Sequence, residues 1–448
     1  MELYIADGEP YVFNDTLYLY GSRDVPRGMV NGEVDWCSDD YHVVCSKDIV
    51  NWKDCGKSYS LDEISEKDCM GKRPLRLWAP DACYNPKDQK YYLFSCLNGG
   101  RGFYVASSDS PEGPFSNTKR LTIDHEDVFP ACIDPGVLMD DDGKAYIAWP
   151  AADRKPWGIA QLDPDDLSNI LSDTVTEVTG MIWPFEGPSL RKRGDTYYYI
   201  YIQNDGPMEE GNIGPMRMAY MTSKHPLGPY KDQGIIIQSG DYPESINIHG
   251  SIVEWQGQWY VFYHLPLQGF DKTRVACAAP LEFNEDGTIV EAKLLSCGAR
   301  PAFPVGETIP AYTAVIFSKA KGNRPEVYKN QQEQRCDFSN KDDRHLFYDR
   351  VGQFAGWRYV DFGDTGSEAI SITVHCETAC ELELRADEHD GQLLARFDIA
   401  GSEDYQTCKA ACLSKISQRH AVFLKLTRKA GTERLRVQSL EFCSTQNT

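Results

Sequence analysis

The stretch ADGEPYVFNDTLYLYGS, residues 6–22, holds two aromatic and β-branched runs on either side of the polar turn Asn14-Asp15-Thr16. That is the pattern of a β-hairpin. The same kind of run returns four more times, as KYYLFSC at 90–96, KAYIAWP at 144–150, TYYYIYIQ at 196–203 and QWYVFYH at 258–264. Each follows a polar or glycine turn, so a hairpin recurs along the first 300 residues, and five antiparallel units of this length predict a five-bladed β-propeller.

Aligning the repeats on Tyr18, Tyr92, Tyr146, Tyr198 and Tyr260 and counting back 11 or 12 residues gives the position that opens the preceding strand. The residues there are Asp7, Pro80 or Asp81, Asp134, Glu186 and His249. In a propeller the innermost strand of each blade starts beside the central axis, so these side chains are expected to converge on one site. Acids before glycine and proline, in ADGEP, IDPG and FEGP, also cap turns, but turn caps have no reason to recur at one position of a repeat.

After about residue 300 the repeat stops in the Gly/Pro-rich GARPAFPVGETIPAY. Beyond it GWRYVDFG, AISITVHC, CELELRAD, LLARFDIA, HAVFLKLT and RLRVQSLEF alternate with the period of half-buried strands. The expected organisation is therefore all-β: a propeller over 1–305, a linker over 306–319, and a jelly-roll-like β-sandwich over 320–448.

A formal net charge of -21 without a Lys/Arg cluster excludes nucleic acid and anionic membrane surfaces as natural partners and leaves neutral substrates open. The 25 Tyr and 9 Trp must either pack or stack on something flat, and sugar rings qualify. Fifteen cysteines, scattered and odd in number, read as reduced thiols, including the pairs Cys376/Cys380 and Cys408/Cys412. MELYIADGEP lacks a basic and apolar leader, so the sequence as it stands reads as cytoplasmic, or as secreted or periplasmic if a signal was removed.

Hydrolysis of a glycosidic bond needs a protonated carboxyl to protonate the leaving oxygen and an ionised one to activate water. Asp7 and Glu186 can supply them, with Asp134 holding the acid's pKa up by like-charge repulsion. His249 reads equally as a core histidine, a sugar contact or a ligand for a central metal. Arg274 is a candidate contact near the acids. Trp78, and less directly Trp36 and Phe185, are candidate sugar floors or core aromatics. The DDDG run at 140–143 reads as a hairpin turn.

Residues 1 to about 305 resemble glycoside hydrolase family 43, on six motifs in the family's order: ADGEPYVFNDTLYLYGS, LWAPDACYNPKDQKYYLF, IDPGVLMDDDGKAYIAW, FEGPSLRKRGDTYYYIY, HGSIVEWQGQWYVFYH and TRVACAAPLEFNEDGTI. The resemblance implies an inverting pentosidase, an α-L-arabinofuranosidase or β-xylosidase acting on oligosaccharide or polysaccharide. In it Asp7 is base, Asp134 pKa modulator, Glu186 acid, Arg274 a contact near the acid, and His249 a neighbour of a channel water or calcium ion. Gly8 follows Asp7 where the family commonly has proline, and Glu9 is set aside as base because the register of the other blades turns it away. Residues 320–448 resemble family 6 carbohydrate-binding modules, on GWRYVDFG and GQLLA. A sugar-binding propeller without turnover is the alternative of another class.

Overall fold

The structure is a computed structural model that describes residues 4–24, 29–30, 33–34, 39–65, 75–98, 102–126, 132–151, 156–207, 215–240, 247–267, 270–318 and 345–443. It is all-β, with three single-turn 3-10 helices among the described residues. The chain divides into two compact units, one ending at Ala292 and one holding the residues from Lys293 on, with short stretches around 239–244 and 267–270 grouping with the second.

Among the described residues five larger sheets follow one another along the first unit, antiparallel except where Thr122–Ile123 pairs parallel with Asp166–Ile170 in the third, and each is opened by one of the hairpins read from the sequence. The first is Tyr4–Phe13, Thr16–Asp24, Asp40–Ser46 and Trp52–Ser60, in that spatial order. The hairpins that open the others are Asp81–Asn85 with Lys90–Cys96, Gly136–Met139 with Ala145–Trp149, Pro184–Arg193 with Thr196–Gln203, and Ser251–Trp255 with Gln258–Leu267. The aromatic strands form because both of their faces are covered. In Thr196–Gln203 every residue after Thr196 is buried, Tyr199, Ile200 and Tyr201 completely.

Apolar clusters pack neighbouring sheets together. Tyr18, Tyr20 and Tyr41 of the first sheet meet Leu93 and Tyr104 of the second, and Phe94 and Phe103 of the second meet Val137 and Trp149 of the third. Tyr146 and Ile159 of the third meet Tyr199 and Tyr201 of the fourth. Each ring removes roughly 150–250 Å² from water, so the repeated aromatic supplies the packing between sheets.

The opening strands of the sheets also adjoin. Tyr4–Phe13 lies beside Ser251–Trp255, which lies beside Pro184–Arg193, then Gly136–Met139, then Asp81–Asn85. A parallel bridge from Gly8 to Gly250 joins the first sheet to the fifth. Close approach requires glycine here: a Cβ on Gly250 would lie 2.1 Å from the Phe262 carbonyl oxygen. Polar groups seal these contacts. Tyr11 donates to Asp81 Oδ1 at 2.7 Å, and Val137 N–H donates to Asp81 Oδ2 at 2.6 Å.

The second unit holds two sheets. One orders Phe303–Pro304, Phe354–Asp361, Arg419–Lys429, Cys380–Ala386 and Leu393–Ile399, with Ile316–Phe317 added at Phe354–Asp361. The other orders Thr308–Pro310, Leu435–Cys443, Ala369–His375 and Gln406–Ala411, with Leu346–Tyr348 added at Leu435–Cys443. Alternating residues such as Ile370, Ile372 and Val374 are fully buried, the two-residue period seen in the sequence. Gln406–Ala411 was not foreseen, because its Gln, Thr, Cys, Lys and Ala give no apolar alternation.

Candidate active site

Three of the sheet-opening carboxyls leave their ladders through local backbone irregularity. The register of Tyr4–Phe13 shifts between Ala6 and Glu9, and Asp7 sits in that bulge with φ 54°. Asp134, just before Gly136–Met139, has φ 55°. The register also shifts on both sides of Glu186, and Gly187 after it has φ 64°. Bulges and left-handed residues re-aim side chains out of a sheet, and strain of this kind persists where the surroundings over-determine it.

Asp7 is held on every side. Its backbone N–H donates to His264 Nδ1 at 3.0 Å, Ser22 Oγ donates to its Oδ2, and Arg274 Nη1 donates to its Oδ1 at 2.8 Å. His249 Nδ1 lies 3.4 Å from the same oxygen. Burial would raise this carboxyl's pKa, but the Arg274 charge, with His249 and His264, holds it well below the usual range. Arg274 is itself clamped: its N–H and Nε donate to Asp24 Oδ2 at 2.8 Å each and its Nη2 to Asp24 Oδ1 at 2.9 Å. All are buried.

Glu186 has the opposite environment. Asn247 Nδ2 donates to its Oε1 at 2.7 Å. Glu186 is half-buried, and desolvation, then the charges of Asp134 and Asp7, push its pKa up to about 8 against the pull of His249 and Arg274. Asp134 is raised to about 6 by burial and by Asp7, while His249 and the Gly187 N–H oppose. Burial would lower His249, but Asp7, Asp134 and Glu9 carry it up to about 9, so it is an imidazolium set among carboxyls. Its ring packs on Gly187, where a Cβ would lie 2.9 Å from Nε2.

The structure therefore brings Asp7, Asp134, Glu186, His249 and Arg274 together. Trp78 is half-buried and packs against the core cluster of Phe94, Phe103, Val137 and Trp149, and its carbonyl accepts from Tyr41 Oη. Trp36 lies outside the described residues. Asp81 is engaged by Tyr11 and Val137. Glu9 is paired instead with Arg191 and accepts from Ser189 Oγ at 3.0 Å. The DDDG run is a turn, with Gly143 N–H donating to the Asp140 carbonyl at 2.9 Å.

His249, the ligand the sequence offered for a central metal, turns its Nδ1 to Asp7, and calcium ordinarily takes oxygen donors. Among the described residues no group of three His, Cys, Asp or Glu is placed to hold a metal ion.

Ser22, Asp24, Asn247 and His264 were missed. His264 closes the run QWYVFYH and Asp24 follows Ser22 just beyond YLYGS, yet a polar residue at the end of an aromatic strand is ordinarily solvent-facing. Only its partners reveal its role. His264 accepts the Asp7 N–H, and burial and Arg274 keep it neutral, with its pKa lowered to about 4.

The model of the family described as glycosyl hydrolases family 43 matches residues 11–289. A xylosidase/arabinosidase of Thermoclostridium stercorarium is 29% identical over 88% of this chain and 88% of its own. Among solved structures, a family 43 arabinoxylan arabinofuranohydrolase from Bacillus subtilis, in complex with cellotetraose, is similar in fold, with a TM-score of 0.55 and 23% identity over 98% of this chain and 96% of that one. A family 43 β-xylosidase/α-arabinofuranosidase from a compost microbial metagenome, in a calcium-free form with xylotriose, has a TM-score of 0.52 and 27% identity over 65% of this chain and 95% of that one.

Proposed function

Because the chain belongs to glycosyl hydrolases family 43 and is thereby a glycoside hydrolase, we propose that it releases a pentose, L-arabinofuranose or D-xylose, from hemicellulose or pectin-derived glycans with inversion at the anomeric carbon. What carries the reading is the pair of carboxyls pushed in opposite directions, Asp7 kept ionised by Arg274 and Glu186 kept protonated beside Asp134. The choice of pentose is supported by relatives named xylosidase/arabinosidase, arabinoxylan arabinofuranohydrolase and β-xylosidase. We read the five sheets of the first unit as the blades of a five-bladed propeller, and the two sheets of the second as a β-sandwich that holds polysaccharide.

In a single displacement, Asp7 takes a proton from water as the water oxygen bonds to the anomeric carbon. Glu186 gives its proton to the leaving glycosidic oxygen as the old bond breaks. Asp134 disfavours a second negative charge on Glu186 and thereby keeps it an acid. Arg274 holds Asp7 in its attacking rotamer, and the Asp24 clamp fixes Arg274. His249, its pKa raised by Asp7, Asp134 and Glu9, offsets part of the charge of those carboxylates, which burial would otherwise penalise heavily.

Hydrolysis of nitrophenyl α-L-arabinofuranoside and nitrophenyl β-D-xyloside by the purified protein tests the reading. Release from at least one, with free arabinose or xylose from arabinoxylan, is expected. Failure on both substrates and on the polymer would overturn the pentose assignment. Retardation in a gel containing arabinoxylan, set against a gel without it, checks the polysaccharide-holding role of the second unit.

A further inference from the structure

Two thiols on the first sheet take no part in the carboxylate cluster. Cys45 lies on Asp40–Ser46 and Cys55 on the outermost strand, Trp52–Ser60. The register pairs His42 with Lys57 and Val44 with Asp54. Two steps on the inner strand thus match three on the outer one, which is a bulge at Cys55 and Gly56. Gly56 has φ 91°, the left-handed conformation that glycine adopts without a Cβ penalty.

In a regular ladder Cys55 would be only a diagonal neighbour of Cys45, with the two Cα atoms roughly 7–8 Å apart. The bulge brings it back, and Cys55 Sγ donates to Cys45 Sγ at 3.1 Å. A disulfide bond is ~2.05 Å long, so about 1 Å of side-chain movement separates contact from bond. Both residues are only partly buried. Cys376 and Cys380, one of the two closely spaced cysteine pairs of the second unit, are buried. A reagent in solution therefore reaches the first pair ahead of the second.

We infer that Cys45 and Cys55 form a thiol–disulfide exchange site that closes reversibly to a cross-strand disulfide when a low-molecular-weight disulfide such as oxidised glutathione is present. Cys45, whose sulfur accepts the hydrogen bond, attacks one sulfur of the reagent as thiolate. A mixed disulfide forms on Cys45, and the first glutathione leaves and is protonated. Cys55 then attacks the Cys45 sulfur, its S–H proton goes to the second glutathione, and that thiol departs. Two protein thiols are oxidised by two electrons and one glutathione disulfide is reduced to two thiols. The order follows from the contact. Burial and Cys45 push the Cys55 thiol up to about 12, which suits a resolving thiol that keeps its proton until the second step.

The bond would tie the outer edge strand to its neighbour across the loop 47–51, at the open edge of a sheet where pairing is otherwise one-sided. Closing this loop restricts the unfolded chain, so the oxidised protein should melt higher.

The test uses the full chain, reduced and then equilibrated in graded mixtures of reduced and oxidised glutathione without denaturant. Free thiols are blocked with N-ethylmaleimide and the protein is digested without reduction for mass spectrometry. The expected product is one cross-linked peptide pair joining Cys45 to Cys55, two hydrogens lighter than the free peptides and undone by dithiothreitol. Cys45→Ser and Cys55→Ser should each abolish it and keep glycosidase activity, with Cys55→Ser stopping at a glutathione adduct on Cys45. The melting temperature should rise by a few degrees on oxidation in the parent and stay fixed in both variants. Complete alkylation of Cys45 and Cys55 at the most oxidising ratio would overturn the inference. So would a Cys376–Cys380 bond forming first, or a Cys45–Cys55 bond forming only after denaturation.

Discussion

Arg274 and Asp7, 267 residues apart in the chain, meet through a single 2.8 Å hydrogen bond from Nη1 to Oδ1, while the rest of the guanidinium is held by Asp24 and Ser22. The base is thus kept ionised by a cation that is itself fixed by another acid. Removing one partner of such a buried group leaves an uncompensated charge, at roughly 3–5 kcal/mol.

Arg274→Lys keeps a positive charge and loses the fork. With weaker support for the carboxylate form, the pKa of Asp7 rises, so the acidic limb of the pH–rate profile should move to higher pH and kcat/KM should fall by about 10²-fold at pH 7, a loss of ~2.7 kcal/mol. An acidic limb unchanged in position would show that Arg274 does not act through Asp7.

Glu186→Gln removes the proton donor while leaving an oxygen for Asn247. Activity on xylan or arabinan linkages should drop by about 10³-fold or more, and much less on aryl glycosides whose leaving group needs no proton. The alkaline limb, set by a group near 8 in the parent, should disappear. Equal losses on both substrate kinds would count against Glu186 as acid.

Asp7→Ala should lose orders of magnitude in kcat on every substrate, with partial recovery on adding azide or formate in place of the activated water. Glu9→Ala separates the neighbouring carboxylate: it breaks the Arg191 pair and so should lower stability more than catalysis. Full activity in Asp7→Ala would move the base elsewhere.

The same substitution at Glu186 should act on stability with a definite sign. Its folded pKa of about 8 exceeds the ordinary 4.5, so between those values the folded state binds a proton the unfolded state lacks. Stability from this group falls as pH rises through that window. Glu186→Gln should therefore melt higher than the parent at pH 8 and converge with it at pH 4, which differential scanning calorimetry at the two pH values can read. A variant that melts lower at pH 8 would contradict the protonated assignment.

Stereochemistry provides the remaining check. Asp7 and Glu186 open strands of the first and fourth sheets, between which the fifth lies on one side and the second and third on the other. Carboxyls opposed in this way should leave room for a water, at the separation of ~6.5–9.5 Å found in inverting enzymes rather than the ~5–5.5 Å of retaining ones. Proton NMR of the first sugar released, before mutarotation, should show the inverted anomer. A retained anomer would rule out Asp7 as a water-activating base.

The sequence by itself determined the repeated hairpin and its aromatic strand, because alternation, turn residues and repeat spacing are local properties. Counting back from Tyr18, Tyr146, Tyr198 and Tyr260 was enough to single out Asp7, Asp134, Glu186 and His249, since equivalent positions of a repeat converge when the repeats pack side by side. What only the tertiary structure decided is what holds each of these groups in its protonation state. The Asp24 clamp on Arg274 spans 250 residues and the His264 support of Asp7 spans 257, and no local pattern announces a partner so distant. Glu9 and Asp7, two residues apart, were separated by a bulge that gives one to Arg191 and the other to Arg274. Protonation follows from burial and summed charge, both of them properties of the packed chain. Hence Asp7 and Glu186, both acids opening a strand, have their pKa values pushed in opposite directions by partners the sequence did not reveal.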